Sequence, residues 1–380
     1  MRYKNMSSFI VMDIVRDSLK YEDTIHFEIG QPDLNPSPKV KASLQKALDE
    51  DKFSYTESLG LLELREKIAK HYKRTYNVNI DPKQVLLTPG TSGAFLVAYT
   101  LTLRHKEKLG LSDPAYPCYK NFAHMLDIDP VFMEIDKNCE YQLRPEHLEN
   151  KDIDAVQISS PSNPTGNIYS EENLKNLVEY CDKKDIAFIS DELYHGLVYE
   201  KEAATALQFS DNVFVINGFS KYYCMPGLRL GWIIVPKELS RQAEIIAQNL
   251  FISAPTLSQY AALEAFDYEY LDGIKEKFKQ RRDYLYKELS EIFEIDAKPD
   301  GAFYIWANIS KYSDDSFAFA KELLENIHIA TTPGIDFGKS KGKEYLRFAY
   351  TRDIEHMKEG INRLKNYLKI DNKDSNLKIS

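Results

Sequence analysis

Between about residues 37 and 290 the apolar positions follow two alternating spacings. Short, nearly unbroken runs occur at Val85–Leu87, Val131–Met133, Ala155–Ile158, Ile186–Ile189, Val213–Ile216 and Trp232–Val235. Between them lie stretches with helical spacing, such as Leu61, Leu64, Ile68 and Tyr72 after Gly60, the segment Pro117 to Leu126, and Glu171 to Lys183. Runs this continuous, several rich in β-branched residues, suit strands buried on both faces. The alternation predicts an α/β fold in which a mostly parallel sheet is flanked by helices. Open sheets of this kind bind ligands beyond the carboxyl ends of their strands, so the residues after each run are where chemistry is expected.

Composition narrows the setting. A chain of 380 residues has material for two domains, or a large domain with a smaller lobe. A formal net charge of -9 disfavours nucleic acid or an anionic membrane as a general partner. Cys118, Cys139, Cys181 and Cys224 form no C-x-x-C pair and have no zinc-site spacing, which suits a reduced, intracellular setting. The apolar stretch Phe9–Met12 is too short for a signal peptide and is broken by Asp13; no segment approaches the roughly 20 apolar residues of a membrane span. A cytoplasmic protein is expected. The polar tail after Ile370 is expected to fray.

Four motifs follow apolar runs. Gly218-Phe219-Ser220-Lys221 comes after Val213–Asn217, with Arg229 eight positions further on in Pro226-Gly227-Leu228-Arg229-Leu230-Gly231. A lysine between small residues sits where backbone can approach a ligand, although a lysine there also fits a solvated surface. Ser190-Asp191-Glu192-Leu193-Tyr194 offers a carboxylate that either caps a helix or partners a cationic heterocycle. Ser159 to Gly166 contains Asn163-Pro164-Thr165-Gly166, which by itself reads as a turn. Thr88-Pro89-Gly90-Thr91-Ser92-Gly93 opens an apolar helix with the free N–H groups and hydroxyls that suit an anion. It does not match G-x-x-x-x-G-K-[ST], which argues against a nucleotide P-loop.

Together, in this order, the motifs resemble those of the class I/II aminotransferases, enzymes of the fold-type I pyridoxal-phosphate group. The resemblance runs from Gly30-Gln31-Pro32-Asp33 to Arg347-Phe348-Ala349-Tyr350 and is most specific over Gly218–Gly231. It implies that Lys221 holds pyridoxal 5'-phosphate covalently and serves as general acid–base, and that Asp191 pairs with the ring nitrogen. Tyr194 and Asn163 would bond the ring's 3-oxygen, and Tyr116, in Asp113-Pro114-Ala115-Tyr116-Pro117, would stack on the ring. Thr91, Ser92, Ser220 and Arg229 would hold the phosphate, with Tyr55 reaching it from a second subunit; that implies a homodimer. Arg347, with Arg352 as a nearby competitor, resembles the arginine that clamps the substrate α-carboxylate, and Gly30 would add a backbone N–H. The loop Pro333–Gly338 resembles another that lies near the substrate.

Two departures stand out: Gly218 where the family often has serine, and Cys224 where it prefers a small or aliphatic residue. The expected architecture is a large cofactor domain, residues 46–285, and a smaller α+β domain made from residues 1–45 and 286–380. The expected reaction is ping-pong transfer of an amino group from a 2-amino acid to a 2-oxo acid. The alternatives are lyase or decarboxylase chemistry on the same fold, and a non-catalytic cofactor-binding protein. No arginine matches the side-chain clamp of strict dicarboxylate enzymes, so the donor stays open, and Phe9 to Ile14 is a candidate wall of its pocket.

Overall fold

The computed structural model describes residues 5–369; the tail after Ile370 lies outside the described residues. The chain enters through the helix Ile10–Ser18 and a short strand, β1 (Ile25–His26). Seven strands then build the main sheet: β2 (Val85–Thr88), β3 (Lys108–Asp113), β4 (Asp129–Glu134), β5 (Ala155–Ser159), β6 (Ala187–Asp191), β7 (Val213–Gly218) and β8 (Gly231–Ile234). Their order is β2-β8-β7-β6-β5-β3-β4. Every pairing from β7 to β4 is parallel, and β8 runs antiparallel to both β2 and β7. Because β8 is reversed, the carboxyl ends of β2, β7, β6, β5 and β3 meet along one edge, and the end of the Trp232–Val235 run points away from it.

The local code of the helices is simple. In Leu62–Tyr76, Leu64, Ile68 and Tyr72 recur every four residues and are fully buried, and Asn77 closes the helix in the left-handed region at φ 58°. In Glu171–Lys184, the Ser170 hydroxyl accepts from the N–H of Asn173. Glu171 and Glu172 sit at the positive end of that helix dipole and Lys183 and Lys184 at the negative end.

Two smaller sheets complete the fold. β1 pairs in parallel with β10 (Ile329–Ala330), while β11 (Thr332–Pro333) and β9 (Tyr304–Asn308) flank β12 (Tyr345–Ala349) in an antiparallel sheet. The long helix Tyr268–Ser290 and the helices Ser316–Ile327 and Ile354–Tyr367 accompany them. Phe27 and Phe348 meet edge to face at 5.6 Å, so the N-terminal segment packs with the C-terminal part, in a core continuous with that under the main sheet. Among the described residues, no helix is long and apolar enough to cross a membrane.

Candidate active site

A cavity of about 280 Å³ opens where the carboxyl edge of the main sheet faces β12 and the N-terminal helix. Every site residue expected from the sequence lines it except Tyr55: Gly30, Thr91, Ser92, Tyr116, Asn163, Asp191, Tyr194, Ser220, Lys221, Arg229 and Arg347. Tyr55 stands outside the cavity with 76% of its surface exposed. Arg352 does not line the cavity, whereas Arg347 is buried against it.

Lys221 follows β7 and donates from Nζ to the carbonyl of Gly30 at 2.6 Å. Burial pushes its ammonium down to about 8, Arg347 and Arg229 push the same way, and Asp191 opposes them. Asp191 ends β6; burial pushes its carboxyl up to about 6, against the hydrogen bonds from Tyr119 and the Leu193 N–H and the field of Lys221. The cavity thus holds an amine and an acid whose charges are both made costly by desolvation, as at reactive sites.

One end of the cavity is built for an anion. The helix Gly90–Thr102 begins there, with Thr91 and Ser92 in its first turn. A side chain at Gly90 (φ +69°) would collide with the Arg229 guanidinium, and a Cβ at Gly231 would come within 2.8 Å of the backbone nitrogen of Thr91. Bare backbone lets the arginine close over the helix start. The departure at Gly218 has the same cause: a Cβ there would meet Thr91 Cγ2 at 3.0 Å and Gly231 Cα at 3.2 Å, so a serine would crowd the cradle. Among the described residues Arg229 has no acidic partner; its Nη1 donates to Pro226 O at 3.0 Å. Free helix N–H groups, hydroxyls and an uncompensated guanidinium fit a phosphate group.

At the other end, Arg347 donates from Nη1 to Asn163 Oδ1 (2.9 Å) and from Nη2 to Glu28 O (2.7 Å) and Thr332 Oγ1 (3.1 Å). Its guanidinium carbon lies 4.3 Å from the centre of the Tyr304 ring and 4.8 Å from that of Phe337. Tyr304 also bonds Tyr194, hydroxyl to hydroxyl, at 2.9 Å. It explains Gly30 as well, where any side chain would run into the Tyr304 hydroxyl. The apolar wall is Phe9, Val11, Met12 and Val15 with Ile29. Asp336, in the Pro333–Gly338 loop, receives the N–H groups of Ile10 (3.2 Å) and Val11 (3.3 Å), which ties the start of the N-terminal helix in place. Sequence reasoning missed Tyr119, Tyr304 and Thr332; Tyr119 alone carried a usable signal, standing three residues after Tyr116, just past the Asp113–Pro117 motif.

A family model for aminotransferase class I and II matches residues 22–364. The chain belongs to the class I and II aminotransferases. This aminotransferase is 40% identical, over 97% of its length and 98% of the relative's, to a (5-formylfuran-3-yl)methyl phosphate transaminase of Methanocaldococcus jannaschii. It is 35% identical to a valine–pyruvate aminotransferase of Mycobacterium tuberculosis, with 95% and 96% of the two chains covered. A solved aminotransferase from Mycobacterium tuberculosis superposes with a TM-score of 0.94 at 34% identity, covering 98% of this chain and 99% of the other. A Methanococcus jannaschii structure described as similar in its active site to kynurenine aminotransferases gives 0.88 at 38% identity, with 97% and 99% covered. Class I and II members use pyridoxal phosphate, and the aminotransferase acts on amino and 2-oxo acids through that cofactor.

Proposed function

We propose that this enzyme takes its amino group from 2-amino acids with apolar side chains, aliphatic or aromatic, using the residues of the cavity in the following roles. The observation that carries the donor class is the wall of Phe9, Val11, Met12, Val15 and Ile29, together with the cations. Among the described residues, Lys221, Arg229 and Arg347 are the cations that line the cavity, and each has another task. None is left for a second carboxylate. The relatives named for valine–pyruvate transfer and described as kynurenine-aminotransferase-like support this reading.

When bound, pyridoxal phosphate supplies an aldehyde that takes up the amino group and a ring that withdraws electrons from the reacting carbon. Lys221 holds it covalently and then moves the proton at the substrate Cα; burial keeps its amine within reach of neutrality for that work. Asp191 faces the ring nitrogen, Tyr194 and Asn163 the 3-oxygen, and Tyr116 the ring face. Thr91, Ser92, Ser220 and Arg229 hold the phosphate. Arg347 and the Gly30 N–H fix the α-carboxylate, and the Phe9 to Val15 wall keeps water from the reacting carbon.

We place the large domain at residues 46–285 and the small one at residues 1–45 with 286–380, of which 5–45 and 286–369 are described. The working unit is a homodimer in which Tyr55 reaches the second subunit's phosphate. Phe53, Tyr55, Leu250 and Ile252 are exposed, and the Thr256 hydroxyl donates to Ser54 O at 2.8 Å, which joins the two segments that carry them. Phe251 brings the second of these segments up to Gly93 beside the phosphate cradle. We assign the enzyme to the cytoplasm. A donor screen against 2-oxoglutarate, followed in the cofactor's visible band, tests the donor class: leucine or phenylalanine should outrun aspartate, and the reverse order would overturn it. Sedimentation equilibrium tests the dimer, which a monomer with full cofactor affinity would refute.

A further inference from the structure

Asp191 is held through both carboxylate oxygens. Oδ1 accepts from the N–H of Leu193 at 3.1 Å, and Oδ2 accepts from the Tyr119 hydroxyl. Neither partner is a cation, and burial works against the Asp191 anion. A side-chain hydroxyl is therefore a main support for its charge. Tyr119 is equipped to give that support at every working pH. It is buried, and burial together with Asp191 raises its phenol well above the ordinary value, so it remains a donor. Its ring is wedged edge-on between Phe95 (5.2 Å, 62°) and Tyr116 (5.4 Å, 80°), which leaves the hydroxyl little freedom to turn away.

We propose that Tyr119 is a positioning residue for the cofactor: its hydroxyl keeps Asp191 ionised and aimed so that the cofactor's ring nitrogen stays protonated. This rests on Asp191 being the partner of that nitrogen. Without the hydroxyl, the second oxygen of a buried carboxylate has no donor. The acid then holds its own proton into the neutral range and offers the ring a neutral group. Tyr116 and Tyr119, three apart at the start of the helix Cys118–Met125, would then act from one turn, the first on the ring face and the second through the acid on its edge.

The experiment titrates apo-enzyme with pyridoxal phosphate and with the analogue in which a CH replaces the ring nitrogen. Tyr119→Phe should weaken pyridoxal phosphate about 10- to 150-fold, the worth of one hydrogen bond to a charged group. It should leave the analogue within about twofold and add nothing once Asp191→Asn is present. Unchanged affinity, equal losses with both cofactors, or full additivity with Asp191→Asn would overturn the proposal. The parent reading is judged separately, because it fails if Asp191→Asn itself does not distinguish the two cofactors. If Tyr119→Phe does not fold by circular dichroism, 3-fluorotyrosine at 119, a stronger donor of nearly the same shape, should tighten pyridoxal phosphate but not the analogue. No change would count against the proposal.

Discussion

Replacing Arg347 with lysine tests the substrate end of the site while preserving its charge. The native guanidinium spends its donors on Asn163 Oδ1, Glu28 O and Thr332 Oγ1, and it is sandwiched near the rings of Tyr304 and Phe337. A planar fork in that slot can hold its neighbours and still present two N–H groups to a carboxylate. A lysine ammonium has three donors in all, and three buried acceptors already compete for them. At least one charge-assisted bond to the substrate is lost, about 1.5–3 kcal/mol. That corresponds to a fall of about 10- to 150-fold in kcat/KM at roughly 1.4 kcal/mol per decade. The assay is the single-turnover half-reaction with leucine or phenylalanine in a stopped-flow spectrometer, with cofactor affinity measured on the same preparation. Arg352→Lys serves as the control, since Arg352 lies outside the cavity. A loss under threefold, an equal loss in the Arg352 variant, or a parallel fall in cofactor affinity would refute the assignment.

Other outcomes follow from the same geometry. Lys221 titrates near 8 rather than at the ordinary 10.5, so its neutral amine grows in as pH rises through 8; the rate at which apo-enzyme captures pyridoxal phosphate should rise from pH 6 and level off above about 8. A rate still climbing tenfold per unit at pH 10 contradicts it. Met12→Arg puts a cation on the apolar wall and should move the aspartate-to-leucine preference toward aspartate by about two- to fivefold, the worth of a largely exposed charge pair at a position with 58% of its surface exposed; an unchanged ratio removes Met12 from the pocket. Leu64→Ala empties a fully buried position and should cost about 2–5 kcal/mol in urea unfolding, with kcat per folded molecule unchanged. A cost below about 1 kcal/mol would mean the helix Leu62–Tyr76 is not anchored there.

Much of this architecture was readable from residue order, because a buried parallel sheet needs unbroken apolar runs and puts its chemistry where they end. The run Ile186–Ile189 pointed at Asp191, and Val213–Ile216 pointed at Lys221. β3 was not legible. Its sequence, Lys108-Leu109-Gly110-Leu111-Ser112-Asp113, is broken by glycine and serine, and Gly110 is there because a Cβ would crowd Met133 and Ile153 on the neighbouring chain segments (2.9 and 3.1 Å). β4 carries a short apolar run, but it is the edge strand, so Phe132 keeps 39% of its surface exposed. The reversal of β8 is a matter of topology, and an apolar run reads the same in either direction. Tyr304 was hidden for a related reason: in Ala302-Phe303-Tyr304-Ile305-Trp306 it looks like one more core aromatic, and only the pairing of β9 with β12 brings it over Arg347. Tyr55 is the converse case, legible as a motif but outside the cavity that holds the other expected residues.

The tie between Asp336 and the first turn of the helix Ile10–Ser18 makes the proposed donor wall a separable module. One short N-terminal stretch contributes Phe9, Val11, Met12 and Val15 to the lining, and it is held by two backbone N–H groups, an edge-on contact of Phe9 with Tyr116 at 5.9 Å and the burial of Ile14 against Leu324 and Ala330. None of the groups assigned to the cofactor sits on it. Lineages could therefore rewrite the stretch Phe9 to Val15 to change diet while the machinery beneath stays untouched, and grafting it from a relative should transplant appetite without chemistry.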